Sequence, residues 1–170
     1  GGWLPTELGH HLLGGALKHI DALTAIGAST VNSYRRFNDF GLWAPIGANW
    51  GLQNRSCTIR ISSPDRFEFR AVDSMVNPHL FCCALLKAMQ DGIDHKIDPG
   101  QPESRNVTSV WQDGGDVKLI PLNLHDALEA LKADEVVKSA MPGGLYDLYD
   151  EYKRDEWTRF LREVTNWDVE

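Results

Sequence analysis

Lysine is missing from one long stretch of the sequence, between Tyr34 and Arg70, although the chain has seven lysines elsewhere. A solvated surface normally mixes lysine and arginine, so this exclusion favours planar guanidinium groups that bind carboxylate or phosphate through two parallel hydrogen bonds. With six arginines and three acids, the stretch carries +3 in a chain of net charge −7. A local positive pocket in an acidic protein predicts a small anionic ligand and no nucleic-acid partner, since nucleic acid needs a broad basic surface. The six arginines are Arg35, Arg36, Arg55, Arg60, Arg66 and Arg70.

The sequence also has few cysteines and no long apolar run. Its three cysteines, Cys57, Cys82 and Cys83, match neither a metal-binding spacing nor a disulfide framework. Cys82 and Cys83 fall within an apolar run, so we expect buried free thiols and a reducing compartment. No apolar stretch reaches the length of a membrane span, and no signal-peptide pattern opens the chain. These absences predict a cytoplasmic protein without a membrane partner.

An acidic residue, Glu68, stands between Arg66 and Arg70 at a spacing of two residues. On a β-strand these three side chains point to one face, and Phe67 and Phe69 pack on the other. A carboxylate held beside arginines on a strand is either a buried ion pair or a metal ligand next to an anion site. The residue types alone leave both interpretations open.

Three short runs with strand-like composition contain these charges, over residues 44–50, 55–62 and 66–72. Turn signals separate them, which predicts an antiparallel meander. Arg55 and Arg60 have opposite parity in the second run. Both face one ligand only if Arg55 lies in the loop that enters the strand or if a bulge intervenes.

Helical spacing surrounds the predicted strands. A first helix is expected over 6–26, with Thr6 as its N-cap, Gly27 as its stop, and Gly14 and Gly15 indicating close packing against another element. With 42% apolar residues the chain can bury one core. The fold class is therefore α+β, with a short antiparallel sheet flanked by helices. Further helices are expected over 78–93, 124–133 and 145–164, with loops over 29–43 and 101–120. Three histidines are expected at the surface or in helix packing: His10, His11 and His19.

Several motifs occur together in one order: NSYRR, then NRS followed by IR, then RFEFR followed by NPHL. Their spacing and apolar context resemble the C-terminal half of the glutamine synthetase catalytic domain, closest to the type I branch. The helix before NSYRR, the LHDALEAL segment and the terminal YKRDEWTRFLREVTNW fit as well, so the resemblance covers residues 1–170 as one part of that domain. It implies an ATP-dependent carboxylate–amine ligase that uses Mg²⁺ or Mn²⁺. Glutamate or a similar acid is phosphorylated and then attacked by ammonia or an organic amine, and the full-length chain forms a homo-oligomeric ring.

The resemblance implies roles for three arginines at the amino-acid end of the site. Arg36 matches the residue that holds the carboxylate of the amino-acid substrate, and Arg70 matches another contact to that substrate. Arg55 matches the catalytic arginine that contacts the transferring phosphate and the acyl-phosphate intermediate. These roles agree with the residue types, since phosphoryl transfer to a carboxylate gathers several anions that fixed arginines can offset.

At the nucleotide end, the resemblance implies ATP-phosphate contacts from Arg60 and Arg66 in addition to Arg55. Glu68 matches a ligand of the divalent cation that orients the phosphates of ATP. Hard cations such as Mg²⁺ prefer oxygen ligands, which a glutamate supplies. The family's other metal ligands, including a histidine in an upstream motif, would lie before Gly1. This chain alone therefore does not build the complete metal site.

One position departs from the family's pattern. Members that use ammonia carry a glutamate just before the Ala-Pro pair, and here that place is Trp43, with one extra residue in the loop. An indole neither binds a cation by charge nor accepts its proton, and a tryptophan wall suits a larger, partly apolar amine. The alternative is that Trp43 only packs and that the chain belongs to a non-catalytic protein with a structural or regulatory role.

Overall fold

The computed structural model describes residues 4–38 and 44–169. Within these ranges, helices surround one three-stranded sheet, which confirms the α+β class. The strands are β1 (Gly47–Leu52), β2 (Cys57–Ser63) and β3 (Arg66–Phe69). Short 3₁₀ turns occupy Val31–Tyr34 and Asn166–Val169. The α-helices are α1 (Glu7–Lys18), α2 (Ile20–Gly27), α3 (Arg35–Asn38), α4 (Pro78–Asp94), α5 (Val107–Gln112), α6 (Leu124–Ala133), α7 (Glu135–Lys138) and α8 (Leu145–Arg162).

The predicted first helix is two helices, α1 and α2, with the break at His19. Thr6 caps α1 as predicted, because its hydroxyl oxygen accepts a hydrogen bond from the Gly9 backbone N–H at 3.2 Å. His19 has φ −99° and ψ 12°, and it ends α1 and precedes α2. Helix α2 lies in the core, where it is buried almost all round. A single non-helical residue hardly disturbs the apolar spacing, so the sequence pattern did not reveal the break.

Glycines bring α1 and α4 into backbone contact, as their presence in the first helix predicted. A Cβ atom at Gly15 would collide with the carbonyl oxygen of Ala88, and one at Gly92 with that of His11. Helix α4 begins with Pro78 at its first position, and Asn77 caps it by accepting hydrogen bonds from two backbone N–H groups. The two helices together form a support on which one face of the sheet packs.

The sheet is mixed rather than antiparallel throughout. β2 and β3 pair antiparallel, as predicted, but β1 and β2 pair in parallel, with Gly47 beside Cys57 and Leu52 beside Ile61. After β1 the chain folds back through a positive φ of 53° at Gln53, and β2 starts next to the beginning of β1. A short connection usually indicates a hairpin, so the meander prediction was wrong for this pair.

The two faces of the sheet differ in character. Ile59, Ile61, Phe67 and Phe69 point to the face that packs with Leu13 of α1. This confirms the predicted alternation, because the charged residues between them point the other way. The apolar face fixes the register, and a slip of one residue would bury the charges instead.

Two predictions about the helical regions need correction. Cys57 is buried, but Cys82 and Cys83 are exposed, because α4 buries the stripe formed by Phe81, Ala84 and Ala88 and both thiols lie off that stripe. The segment over 101–120 is not entirely irregular, since it contains α5. No helix in the described part of the chain is long and apolar enough to cross a membrane. Trp43 lies outside the described residues, so its predicted place in a flap stays a prediction.

Candidate active site

An ion pair between β2 and β3 forms the centre of the site. Arg60 stands directly opposite Glu68 in the antiparallel register, on the face turned away from the core. Its Nη2 donates a hydrogen bond to Glu68 Oε1 at 3.0 Å. Facing residues of neighbouring strands are held at contact distance, so the sheet itself fixes this pair.

Two further guanidinium groups approach the same carboxylate. Nη2 of Arg66 lies 3.9 Å from Glu68 Oε1, and Nη1 of Arg70 lies 3.9 Å from Glu68 Oε2. The Arg70 side chain is only 19% exposed and that of Arg60 only 13%, whereas that of Arg66 is 64% exposed. One carboxylate therefore stands among three permanent cations, two of them shielded from water.

Arg36 joins this group from α3, at the end of the NSYRR motif. Its Nη2 donates a hydrogen bond to the carbonyl oxygen of Arg70 at 3.2 Å, and its guanidinium carbon lies 5.1 Å from the centre of the Phe37 ring. Burial lowers the pKa of Arg36, and the charge of Asp73 opposes that shift. The Nε atoms of Arg36 and Arg60 are buried without a hydrogen-bond partner among the described residues. Buried polar groups normally have partners, so these donors favour a ligand that accepts hydrogen bonds.

The pKa of Arg70 responds to four neighbouring charged groups. Burial lowers the pKa of Arg70 most, and the like charge of Arg60 lowers it further. Glu68 raises this pKa, whereas Arg55 and Arg36 lower it. Arginine stays charged at neutral pH despite such shifts. The structure thus links Arg36, Arg60, Arg66 and Arg70 to one another through Glu68 and the Arg70 carbonyl group, and Arg55 is near enough to lower the pKa of Arg70. The arginine face is the name used here for this set: Arg36, Arg55, Arg60, Arg66, Glu68 and Arg70.

Arg55 lies in the loop that enters β2, which was one of the two arrangements that its parity allowed. It lines a cavity of about 340 Å³ between residues 52–56 and 104–106. Arg66 lines a second cavity, of about 270 Å³, between the start of α1 and the β2–β3 turn. Residues 104–106, which form one wall of the first cavity, lie in the predicted loop over 101–120.

The arginine face offers a metal ion one carboxylate ligand, that of Glu68. Glu68 is partly exposed, and its Oε2 has the 3.9 Å approach of Arg70 as its charge contact, so this oxygen can serve as a hard ligand. In the described ranges no three His, Cys, Asp or Glu side chains stand together as a metal site. Mg²⁺ takes about six oxygen ligands, so Glu68 would supply one of them beside phosphate, water and other protein oxygens.

A second charged group surrounds His19, for which the sequence predicted only a place at the surface or in helix packing. Nδ1 of His19 lies 2.6 Å from Asp134 Oδ2, and its Nε2 lies 2.9 Å from Asp91 Oδ2. Lys18 and His95 also contact Asp91, each at 2.9 Å. We call these five residues the histidine cluster. It joins α1 and α4 to the segment between α6 and α7, beside a cavity of about 430 Å³.

The pKa values in the histidine cluster follow from its contacts. Burial lowers the pKa of His19, but its hydrogen bonds to Asp134 and Asp91 raise it more, so the result lies above 6.5. Burial raises the pKa of Asp91, while the contacts with Lys18 and His19 outweigh burial and hold it at about 2. A neutral imidazole has one N–H, so carboxylates on both nitrogens favour the protonated ring.

Fold and site together define an α+β domain whose small mixed sheet has one positively charged face. Comparison with known proteins identifies its family. The family model described as glutamine synthetase, catalytic domain, matches residues 4–170, and this chain belongs to that family, as the motifs predicted.

Curated relatives carry two different names. The chain is 38% identical to glutamate–methylamine ligase from Methyloversatilis universalis, over 96% of this chain and 38% of that protein. It is 37% identical to glutamine synthetase from Pyrococcus furiosus, over 97% of this chain and 42% of that protein. The chain therefore spans about two fifths of the length of the relatives that it matches.

Solved structures match the fold closely. A structure described as a GmaS/ADP complex, conformation 1, aligns with a TM-score of 0.90 and 34% identity, over 99% of this chain and 40% of that one. A structure described as apo GmaS without ligand aligns with a TM-score of 0.87 and 34% identity, over 99% and 38%. The roles assigned to single residues of the arginine face stay predictions.

Proposed function

We propose that the full-length protein is an ATP-dependent carboxylate–amine ligase of the glutamine synthetase type. The observation that carries this proposal is the arginine face, where three guanidinium groups surround Glu68 within 3.0–3.9 Å. Phosphoryl transfer to a carboxylate brings that carboxylate and a polyphosphate together, and fixed cations offset their combined charge. ATP and Mg²⁺ or Mn²⁺ are the proposed cofactors, and glutamate or a similar amino acid is the proposed acid.

In the proposed reaction a carboxylate oxygen of the acid attacks the γ-phosphorus of ATP, and ADP leaves as the acyl phosphate forms. The amine nitrogen then attacks the acyl carbon, the bond from that carbon to the phosphate oxygen breaks, and the nitrogen loses a proton. Inorganic phosphate is released once per amide formed. This stoichiometry gives the assay its signal.

The residue roles that we propose for the arginine face are those that the family resemblance implies. Arg36 and Arg70 bind the amino-acid substrate. Their partly buried guanidinium groups lie close together, so their combined positive charge can attract its carboxylate. Arg55, in the loop before β2, contacts the transferring phosphate. It also binds ATP phosphate, together with Arg60 and Arg66. Glu68 is the proposed metal ligand.

For the acceptor we propose an organic amine in preference to ammonia. Two arguments support this: a relative at 38% identity is named glutamate–methylamine ligase, and the family resemblance implies that Trp43 stands where ammonia-using members carry a proton-accepting glutamate. An indole face attracts an ammonium group by about 0.5–2 kcal/mol. It also buries alkyl carbon at roughly 25 cal/mol per Å², a gain that ammonia cannot have.

Phosphate release by the full-length protein, with ATP and glutamate, tests the acceptor across ammonia and a panel of alkyl and aryl amines. We expect an alkyl amine to give the highest kcat/KM, and Trp43→Glu to shift the preference towards ammonia. Ammonia as the best donor to the unmodified enzyme would refute the proposed acceptor. No turnover with any amine, in protein that still binds ATP, would favour the non-catalytic alternative.

The full-length protein is further proposed to form a homo-oligomeric ring in the cytoplasm, as the family resemblance implies. Nucleic acid and membranes are not among the proposed partners. The mass of the full-length protein in solution tests the ring.

A further inference from the structure

The loop that carries Arg55 is held by the side chain of its neighbour, Asn54. Asn54 Nδ2 donates hydrogen bonds to the carbonyl oxygens of Glu103 at 2.9 Å and Arg105 at 2.8 Å. Its Oδ1 accepts from the backbone N–H of Ser56 at 3.0 Å and from the Ser56 hydroxyl at 2.6 Å. A side-chain amide has two donor hydrogens and two acceptor lone pairs, so this network uses the whole capacity of Asn54.

The same two segments are tied together on either side of these bonds. The hydroxyl oxygen of Ser56 accepts a hydrogen bond from the Val107 backbone N–H at 2.9 Å, and both residues are buried. The backbone N–H of Glu103 donates to the carbonyl oxygen of Trp50 at 2.8 Å. Hydrogen bonds thus connect residues 54–56 to residues 103–107 beside the cavity that Arg55 lines.

The opposing segment contains an ion pair of its own. Arg105 grips the Glu103 carboxylate with two hydrogen bonds, Nε to Oε1 at 3.0 Å and Nη2 to Oε2 at 2.7 Å. The hydrogen bond from Arg105 is the main cause that holds the pKa of Glu103 at about 2. This pairing keeps the two carbonyl groups that receive the Asn54 amide in place.

These contacts exceed what a turn needs. An Asx turn uses the Asn oxygen alone, through bonds to residues two or three positions ahead, as Asn54 makes with Ser56. The amide nitrogen instead reaches carbonyl groups 49 and 51 residues away. Within the described ranges the exposed Arg55 side chain has no salt bridge or side-chain hydrogen bond of its own. The position of its guanidinium group therefore depends on where the loop backbone holds the Arg55 Cα atom.

We infer that Asn54 is a positioning residue for Arg55. The four hydrogen bonds of its side chain, here called the Asn54 clamp, fix the Arg55 loop to residues 103–107. The inference rests on the proposed role of Arg55 in phosphoryl transfer. A displacement of about 1 Å at a group that contacts the transferring phosphate lowers the rate on the order of a hundredfold. Asn54 acts only through Arg55 in this scheme.

A double-mutant cycle in the full-length enzyme tests the coupling. We expect Asn54→Ala to lower kcat on the order of 10–100-fold while KM for ATP and glutamate changes less than about threefold. If Asn54 acts through Arg55, the Asn54→Ala/Arg55→Ala double variant turns over no more slowly than Arg55→Ala alone. Multiplicative effects in the double variant, or an unchanged kcat in Asn54→Ala, would overturn the inference.

Asn123→Ala is the matched control, because Asn123 also caps a local turn through its side chain, at the start of α6 and away from the arginine face. We expect it to leave kcat unchanged. Ser56→Ala is the milder companion variant, which removes one acceptor and one donor of the network and should lower kcat by a smaller factor. It keeps the test open if Asn54→Ala does not fold.

Trypsin provides a measurement that does not depend on activity, since it cleaves after arginine in exposed, locally opened chain. We expect the Arg55–Ser56 bond to be cut on the order of tenfold faster in Asn54→Ala than in the unmodified protein, and at an unchanged rate in Asn123→Ala. Equal cleavage rates would show that the clamp does not hold the loop. If the enzyme has no turnover but the cleavage difference is present, the clamp stands and the proposed function fails.

Discussion

The arginine face and the histidine cluster are two groups of charged side chains that differ in net charge, positive in the first and compensated within the second. In the histidine cluster, His19 has a carboxylate on each ring nitrogen, and Asp91 takes additional contacts from Lys18 and His95. On the arginine face a single carboxylate, Glu68, stands among three guanidinium groups. Both groups are partly buried, where an uncompensated charge raises the free energy strongly.

The difference separates a structural network from a binding site. The histidine cluster satisfies its own charges and links helices that are distant in sequence. The arginine face keeps an excess of positive charge and two buried Nε donors, on Arg36 and Arg60, without a partner among the described residues. A ligand with several anionic oxygens completes the second group, whereas nothing needs to be added to the first. Substitutions should therefore affect stability in one group and activity in the other.

The largest expected effect on stability comes from His19→Ala. Removing the imidazolium leaves two partly buried carboxylates, Asp134 and Asp91, with fewer partners. Loss of one member of a buried ion pair costs about 3–5 kcal/mol of unfolding free energy. Urea denaturation of the full-length protein measures this loss, together with kcat at a temperature where the variant is still folded. We expect kcat to stay within about threefold of the unmodified enzyme.

His95→Ala is the matched control for His19, because it removes another histidine that contacts Asp91. The His95 side chain is 66% exposed, and exposed ion pairs contribute about 0–1 kcal/mol. A similar loss of stability in both variants would mean that burial does not distinguish the two contacts. A large loss of kcat in His19→Ala would contradict the division between the two groups.

Arg60→Ala should show the reverse pattern. Glu68 keeps Arg66 and Arg70 as neighbours, so we expect the free energy of unfolding to change by less than about 1 kcal/mol. Loss of one preorganised group that stabilises developing charge lowers kcat/KM on the order of 10²–10³-fold, or about 2.7–4 kcal/mol. The measurements are phosphate release and urea denaturation of the full-length protein.

Arg66→Ala provides the comparison within the arginine face. Its side chain is 64% exposed, against 13% for Arg60, so water screens its charge and we expect a loss of about tenfold or less. Equal losses for the two arginines would show that burial does not rank their contributions. An unfolded Arg60→Ala protein would mean that the face holds the sheet together instead of serving a ligand.

Local periodicity was enough to predict the charged strand. Arg66, Glu68 and Arg70 share a face because side chains alternate along β3, and this requires no information from the rest of the chain. The family motifs added Arg36 and Arg55, which no local pattern joins to that strand. Pairing was harder to predict, since the short connection after β1 has the length of a hairpin although the strands run parallel.

Long-range contacts explain what the sequence analysis missed. His19 is 72 residues from Asp91 and 115 residues from Asp134, and nothing in the spacing of either acid links it to the histidine. Asn54 and Ser56 do have the spacing of an Asx turn, which was a usable signal for the local half of the clamp. Its other half depends on residues 103 and 105, in a segment whose composition indicates only a loop.

The smallest expected effect is the pH dependence of stability that the histidine cluster adds. The folded pKa of His19 lies above its ordinary value of 6.5, so its contribution is complete below pH 6.5 and is lost as the pH rises through the folded pKa. The folded pKa of Asp91, about 2, lies below its ordinary value of 3.8, so its contribution is complete above pH 3.8 and is lost as the pH falls towards 2.

The difference in unfolding free energy between the unmodified protein and His19→Gln should therefore be largest between about pH 4 and 6.5. Above that range it should decline with a slope of at most about 1.4 kcal/mol per pH unit, because one proton is involved. Lys18 and His95 contact Asp91 in both proteins, so the subtraction cancels their contributions. A difference that stays constant from pH 5 to pH 9 would show that His19 is held by packing alone.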